Sequence, residues 1–344
     1  MTVKKGYRKE RLDRGIKARS DDIFAISSFR EIGYLVGPRV AVLILLLLFP
    51  LMKDMMGHYW QNVMLITCTI ALLAISWDLL ASVGLVSLGQ ALFFGVGAYI
   101  AGSLSRGLGW PPLVTIPAAT VAGALVCTVM LLPVLRLRGI YFGLITFALP
   151  LLMMRIIEAT KVFGGTEGMS GLTPLPNEAF ELYLIITAAL VFLFGFKRLM
   201  DTDYGLVLKA IRDNDRSVLA SGINIQWYKA QAVFIAALPG TFAGAFLTHH
   251  YQFVGMPAFA LEYSILPLTS VIIGGPGTFA GAMLGAFILV PLSEVLRAFG
   301  TLRVVIYCAF LLIFTIGLPE GIFRFVERKY HQFERNVPLE EVKA

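Results

Sequence analysis

Residues 61–82 read QNVMLITCTIALLAISWDLLAS, a run whose one charge, Asp78, lies near its end. Nothing in it alternates with the period of two that a barrel strand needs, so it reads as a helix. At 1.5 Å per residue such a helix is about 33 Å long, enough to cross a hydrocarbon core about 30 Å thick. Similar runs, bounded by charges or by Gly and Pro, occupy residues 37–52, 84–105, 112–135, 140–157, 181–197, 228–250, 262–275, 277–297 and 301–318. The expected fold is an all-α polytopic membrane protein with about ten transmembrane helices. The 262–275 run is short, and its end at Gly274-Gly275-Pro276-Gly277 is either a tight turn or an unwound segment inside the protein.

Composition agrees with this reading. Of 344 residues, 57% are hydrophobic and 15% are charged, whereas a soluble domain carries about a quarter charged residues. Mean hydropathy is +0.77. Ten spans need about 200 apolar positions, close to the hydrophobic share of the chain. These figures exclude a secreted enzyme, a nucleic-acid-binding domain and a two-domain soluble α/β protein. The net charge of +7 is concentrated at the start, where residues 1–39 hold ten Lys or Arg, from Lys4 to Arg39, against five Asp or Glu. Basic residues beside a first span hold a terminus on the cytoplasmic side and sit against anionic lipid headgroups, so the expected partner is the bilayer and not nucleic acid. No apolar stretch precedes the basic run, and no cleaved signal peptide is expected. Cys68, Cys127 and Cys308 lie far apart inside apolar runs and read as buried small residues.

Orientation follows from the same charges. With residues 1–39 inside, the other inside segments are 136–139 (Arg136, Arg138), 197–227 (Lys197, Arg198, Lys209, Arg212, Arg216) and the tail (Arg324, Arg328, Lys329, Arg335). The connections assigned outside carry scattered charges such as Lys53, Arg106 and Lys161, with Arg297 and Arg303 against the trend. Both termini are expected in the cytoplasm. The chain divides into a basic N-terminal segment (1–36), a transmembrane domain (37–320) and a cytoplasmic tail (321–344).

Two connections are long enough to have structure. Residues 158–180 are rich in Gly, Thr and Pro and suit an ordered irregular loop over the outer mouth. In 198–227, Leu206, Val207, Ala210 and Ile211 form an apolar stripe, Arg212-Asp213-Asn214-Asp215-Arg216 interrupts it, and Val218, Leu219 and Ala220 resume it before Gly222. This spacing predicts two short helices across a polar turn, the second capped by Asn214 or Asp215 and stopped at Gly222. Gly240 and Gly244 are four apart, as are Gly277, Gly281 and Gly285. Such rows let two backbones approach closely, within the subunit or against a partner. The Gly/Ala-rich stretches 89–105 and 277–290 hint at an inverted repeat.

Recognisable catalytic machinery is missing. No Gly-Lys dipeptide occurs, so the chain has no phosphate-cradling loop, and there is no His-Glu-x-x-His, Cys-x-x-Cys or Gly-x-Ser-x-Gly. His58, His249 and His250 fall near the outer surface and read as interfacial polar residues, while His331 lies in the tail. Asp78 is the main intramembrane charge; it caps the next helix at Gly84, packs, or serves function. Glu158 with Lys161, and Glu294 with Arg297, are spaced for local pairs. The scarcity of mid-membrane carboxylates argues against a proton-coupled carrier. The candidate path residues are uncharged: Ser87, Gln90 and Tyr99 in one run, Tyr141 and Thr146 in another. Gln90 needs a hydrogen-bond partner, either a neighbouring helix or a passing solute. Neutral polar groups suit a small polar or zwitterionic solute.

Several segments carry a family resemblance: Ser87-Leu88-Gly89-Gln90 followed by Phe93-Phe94-Gly95-Val96-Gly97-Ala98-Tyr99; Leu135-Arg136-Leu137-Arg138-Gly139-Ile140-Tyr141-Phe142; Gly164-Gly165-Thr166-Glu167-Gly168-Met169-Ser170-Gly171; and Ala210-Ile211-Arg212-Asp213-Asn214 with Gly222-Ile223-Asn224. The turn Ile273-Gly274-Gly275-Pro276-Gly277-Thr278 belongs with them. In this order, over about residues 60–320, the chain resembles the membrane permease subunits of branched-chain amino-acid-type ABC importers, of the LivM kind. The resemblance implies that residues 206–224, with Arg212, Asp213, Asn214, Arg216 and Gly222, form the cytoplasmic segment that docks on an ATP-binding subunit. It also implies a second homologous permease, two ATP-binding subunits holding ATP and Mg, a soluble extracytoplasmic solute-binding protein, and a place in the bacterial cytoplasmic (inner) membrane. The chain itself would be no enzyme and would hold no cofactor or metal. Ala81-Ser82-Val83-Gly84-Leu85-Val86 departs from a family stretch that often contains Gly-Tyr, which leaves the solute open among branched-chain or other amino acids, urea and short amides. A stand-alone secondary carrier or channel for urea or an amide is the second reading, and a polytopic membrane enzyme the third.

Overall fold

The computed structural model describes residues 7–11, 37, 40–41, 43–44, 46–137, 139–296, 300, 302–317, 320–331 and 334–338. Strand β1 is Tyr7–Arg11. A 3-10 turn at Phe49–Met52 leads into α1 (Lys53–Ser82), which bends at Gly57, so that its membrane-length part is Gly57–Ser82. Then come α2 (Gln90–Leu108), α3 (Pro112–Leu131), with Pro in the first turn, where an N–H has no partner to lose, and α4 (Ile140–Thr160). Strand β2 (Met169–Ser170) precedes α5 (Glu178–Met200). Two short helices, α6 (Asp203–Asp213) and α7 (Asp215–Ala220), connect to α8 (Ile225–Tyr251) and strand β3 (Phe253–Val254). The chain continues through α9 (Glu262–Gly274), α10 (Phe279–Val295), α11 (Leu302–Gly317), α12 (Gly321–His331) and strand β4 (Glu334–Pro338).

Seven helical segments among the described residues are long and apolar enough to cross a membrane: α1 from Gly57, α2, α3, α4, α5, α8 and Met256–Gly274, in which a 3-10 turn extends α9. The protein is an all-α, multi-pass membrane protein. Ten spans were expected. The 277–297 and 301–318 runs appear as the shorter α10 and α11, of 17 and 16 residues, and the 37–52 run lies only partly within the described residues. The N-terminal segment 1–36, apart from β1, and residues Arg138 and Arg297 lie outside them, as do the side chains of Cys308 and His331.

One boundary moves for a physical reason. The 84–105 run starts as a helix only at Gln90, because α1 closes at Gly84 with both bonds of a Schellman motif: Leu85 N–H donates to Leu80 O (3.0 Å) and Gly84 N–H to Ala81 O (3.0 Å). Gly84 has φ +82°, which other residues rarely adopt. Likewise α3 stops at Leu131, before Pro133 and a 3-10 turn at Val134–Arg136.

Helix α1 is central, with 94% of its most apolar stretch buried, and α10, α8 and α9 pack against it; α4 has 28% of the corresponding stretch buried and lies at the periphery. The small-residue rows are used within this chain. A Cβ at Gly244 would overlap the Phe94 carbonyl oxygen of α2, one at Gly97 would overlap the Thr241 carbonyl of α8, and one at Gly285 would overlap the Ser270 carbonyl of α9. α9 and α10 thus form a close hairpin across the 275–278 turn.

The chain also contains short strand pairs that the all-α expectation omits. β2 pairs with β3, clasping the 161–177 loop to the end of α8, and β1 pairs with β4, which sets the two terminal segments side by side. The tail holds α12, whose Gly321 backbone lies against Gly275 of the α9–α10 turn.

Candidate functional site

The polar residues of the core gather around the 83–89 segment. Its carbonyl at Ser87 accepts from Trp77 Nε1 of α1 (2.6 Å), and its Leu88 N–H donates to Thr146 Oγ1 of α4 (3.1 Å). A Cβ at Gly89 would overlap the Thr146 carbonyl oxygen, so only glycine lets the segment and α4 meet. Ser87 Oγ accepts from Gly89 N–H (3.2 Å), and Thr146 Oγ1 donates to Gly143 O (2.9 Å).

Gln90, fully buried, opens α2 at this point. Ser76 Oγ of α1 lies 3.0 Å from Gln90 Oε1 and 2.5 Å from Ala236 O of α8, tying three helices together. Ser76 is six residues, about 9 Å, from the end of α1, and Ala236 is eleven residues, about 16 Å, from the start of α8. The first turn of α2 therefore sits part-way across the membrane, where Ala91 N–H donates to Ser264 Oγ of α9 (3.0 Å). Gln90 Nε2 has no partner among the described residues. Loss of the Gln90 amide would leave no buried donor orphaned, because Ser76 Oγ keeps Ala236 O as its acceptor, and an orphaned group is where the larger cost of a lost hydrogen bond arises. Gln90→Leu should accordingly keep the subunit folded, with a stability change of about 1 kcal/mol or less in thermal unfolding.

The other two candidates are elsewhere. Tyr99 stacks on Phe259 (5.5 Å between centroids) toward the opposite end of the molecule, and its buried hydroxyl lacks a partner among the described residues. Tyr141 is 67% exposed, on the outward face of α4. Ser87, Gln90 and Thr146 are brought together; Tyr99 and Tyr141 are not part of that group.

Asp78 does not cap a helix at Gly84. Its Oδ1 accepts from Gly277 N–H (2.6 Å), 199 residues away, and Arg324 of α12 acts on it electrostatically. The carboxylate joins α1, the α9–α10 turn and α12. One other pairing differs from expectation. Glu158 pairs with Arg155 (2.6 Å), one turn back on α4, and not with Lys161, which ends that helix in the left-handed region. Glu294 accepts from Tyr59 Oη (3.2 Å) across the α1–α10 contact, and its expected partner Arg297 lies outside the described residues. His249 is fully buried, not interfacial, because the 161–177 loop folds over it and Thr173 O meets its Nδ1 at 2.8 Å. His250 Nδ1 meets Glu181 Oε2 at 2.6 Å. No group of His, Cys, Asp or Glu that could hold a metal occurs among the described residues.

The second cluster is the α6–α7 pair, which forms as the polar turn predicts. Asn214 Oδ1 accepts from Arg216 N–H (3.1 Å) and Ser217 N–H (3.3 Å), capping α7, and α7 ends two residues before Gly222, at φ +80°. Leu208 and Ile211 are buried against the long helices. Arg212 and Asp213 form an exposed pair (3.2 Å). Tyr204 is anchored beside Tyr228 (5.6 Å between centroids); burial, and secondarily Tyr228, push its phenol up to about 12. A cleft of about 310 Å³ lies between this turn and the 83–89 segment, bordered by Gly84, Arg212, Arg216 and Lys229.

Long apolar helices packed through glycine, a helix that starts inside the bundle, and a capped pair of short helices at one end define a multi-pass membrane protein. The chain belongs to the family described as branched-chain amino acid transport system / permease component, whose family model matches residues 59–315. It is 25% identical over 270 residues to the high-affinity branched-chain amino acid transport system permease protein LivM of Escherichia coli strain K12, covering 70% of this chain and 64% of that protein. The Salmonella typhimurium LivM is 25% identical over 271 residues, with the same coverage. The probable branched-chain amino acid transport permease protein LivM of Methanocaldococcus jannaschii is 27% identical over 219 residues, covering 56% of this chain and 63% of that protein. The chain thus spans just under two thirds of the length of the curated relatives it matches. A solved chain of PsaBC from Streptococcus pneumoniae in complex with Fab aligns over 80% of this chain and 96% of its own length, at 16% identity and a TM-score of 0.42.

Proposed function

We propose that this chain is the membrane permease subunit of an ABC importer that passes a branched-chain or other small amino acid from a soluble extracytoplasmic binding protein into the cytoplasm. The family match over residues 59–315 carries the reading. A second homologous permease and two ATP-binding subunits complete the complex, and ATP and Mg are bound by those subunits. This fits a sequence without a phosphate-cradling loop. The α6–α7 end faces the cytoplasm of a bacterial inner-membrane protein, as the basic residues there favour, and both termini lie on that side, a reading supported by their pairing with each other. Residues 206–224 dock on an ATP-binding subunit through Arg212, Asp213, Asn214 and Arg216. Ser87, Gln90 and Thr146 serve the path of a solute with no net charge to neutralise.

The test is purification and reconstitution. The chain should co-purify with two ATPase subunits and a related permease, and uptake into proteoliposomes should require ATP and the binding protein. Robust uptake by this chain alone, driven by an ion gradient, would overturn the assignment.

A further inference from the structure

The α6–α7 pair and the polar cluster around Gln90 are joined by one short piece of chain, residues 83–89. We propose that this segment is a relay strap: its lower end rides on Arg212 of α6, its upper end carries the first turn of α2, and Thr146 is the positioning residue that fixes it to α4. The inference rests on the importer reading above, which places ATP-driven motion at α6–α7.

The lower end lies beside the arginine: a Cβ at Gly84 would stand 3.4 Å from both Cα and Cγ of Arg212 and 3.7 Å from its Cβ, in ordinary van der Waals contact with its stem. The Schellman bonds at Gly84 and Leu85 fix this corner to α1, and Leu85 is buried. The upper end is held by three helices at once. Trp77 Nε1 donates to Ser87 O, Leu88 N–H donates to Thr146 Oγ1, and three residues on, Ala91 N–H donates to Ser264 Oγ. Between these anchors the chain is short, with Val86 48% exposed. Seven residues span at most about 25 Å even when fully extended. Held at both ends, so short a segment limits how far α6 can move without moving α2. Movement of Arg212 is therefore passed to Gln90 and the first turn of α2.

Of the upper bonds, the one to Thr146 reaches a peripheral helix that has few other ties to the core, so it sets where α4 stands relative to α2. Thr146→Val keeps the shape and removes the acceptor; Thr146→Ser keeps the hydroxyl. The experiment uses the reconstituted complex with its ATPases and binding protein and measures solute imported per ATP hydrolysed. Thr146→Val should lower that ratio at least fivefold, and Thr146→Ser should stay within twofold of the unaltered complex. In parallel, a Val86→Cys variant should react with a water-soluble thiol reagent at rates differing at least threefold between ATP-bound and nucleotide-free complexes. If Thr146→Val does not assemble, the Val86→Cys labelling decides. An unchanged import ratio in Thr146→Val, or nucleotide-independent labelling at residue 86, overturns the relay while the importer reading stands. Absence of ATP-driven import by the unaltered complex overturns both.

Discussion

A subunit carrying Gly244→Val should fail to accumulate as a folded protein. The first side-chain atom at residue 244 would overlap the Phe94 carbonyl oxygen and stand 2.9 Å from both the Phe94 carbonyl carbon and Ala98 N, all of them backbone atoms that no rotamer change can move. Nor can the helices part freely. On the same seam a Cβ at Gly97 would overlap Thr241 O, and Thr248 Oγ1 donates to Ala98 O at 3.3 Å. Helix α3 closes over the same seam: a Cβ at Gly123 would stand 2.9 Å from Thr241 Cγ2 of α8 and 3.4 Å from the Gly97 Cα of α2. Separating α2 from α8 would therefore disrupt α3 as well. Overpacking by single methylenes costs about 1–3 kcal/mol; three heavy atoms driven against backbone should exceed that, a large share of a total stability of about 5–15 kcal/mol. Gly195→Ala is the control, since nothing stands within 4 Å of that position on α5, and Ala for Gly in an exposed helix stabilises by about 1 kcal/mol. The measurement is the folded fraction after detergent extraction, with thermal unfolding of whatever survives. A Gly244→Val protein melting within about 1 kcal/mol of the parent would show that α2 and α8 do not meet as described.

This seam also shows what the sequence conveys and what it withholds. Long apolar runs declare themselves as membrane helices, and the glycine rows announce close contact, but only the fold shows that the contact is within one chain. The 83–89 strap is hidden because Leu85, Val86 and Leu88 continue the apolar character of their neighbours, and a buried strap and a buried helix look alike without periodicity. The signal that could have revealed it is Gly84 following Ala81-Ser82-Val83, a helix stop. The role of Asp78 stays open in the sequence and His249 is misread there for a different reason: their partners, Gly277 and Thr173, lie 199 and 76 residues away, and no local pattern encodes such a pairing. Tyr141 and Thr146 share one helix, but five residues turn them about 140° apart, so they cannot face the same neighbour. α12 was legible and overlooked: Ile322, Phe323 and Phe325 alternate with Arg324 and Glu327 at helical spacing. The α6–α7 pair was readable in full because everything that defines it is local: an apolar stripe, a side-chain cap and a glycine stop.

That local definition is why charge reversal at Arg212 and Arg216 should separate function from folding. Both side chains project from the turn that Asn214 organises, and Asn214 caps α7 through the backbone N–H of Arg216, which a change of side chain leaves in place. The exposed Arg212–Asp213 pair contributes little to the fold, since surface ion pairs are worth about 0–1 kcal/mol. Arg212→Glu with Arg216→Glu should therefore leave the subunit in the membrane, shifted by about 1 kcal/mol or less. If the turn docks on an ATP-binding subunit as proposed, the same changes place like or unpaired charges in an interface, where breaking a hydrogen-bonded pair costs about 2–5 kcal/mol. That is about 30-fold to several thousand-fold in association, so import should fall at least tenfold while the amount of folded subunit stays the same. Contact is checked by crosslinking from a cysteine at Asp213, whose side chain is 69% exposed and takes no part in the cap. Efficient crosslinking to the ATPase, lost on double charge reversal, is the expected result. Labelling of that cysteine by an impermeant reagent from the outer face of sealed vesicles would put α6–α7 on the wrong side of the membrane, and with it both the orientation and the docking surface.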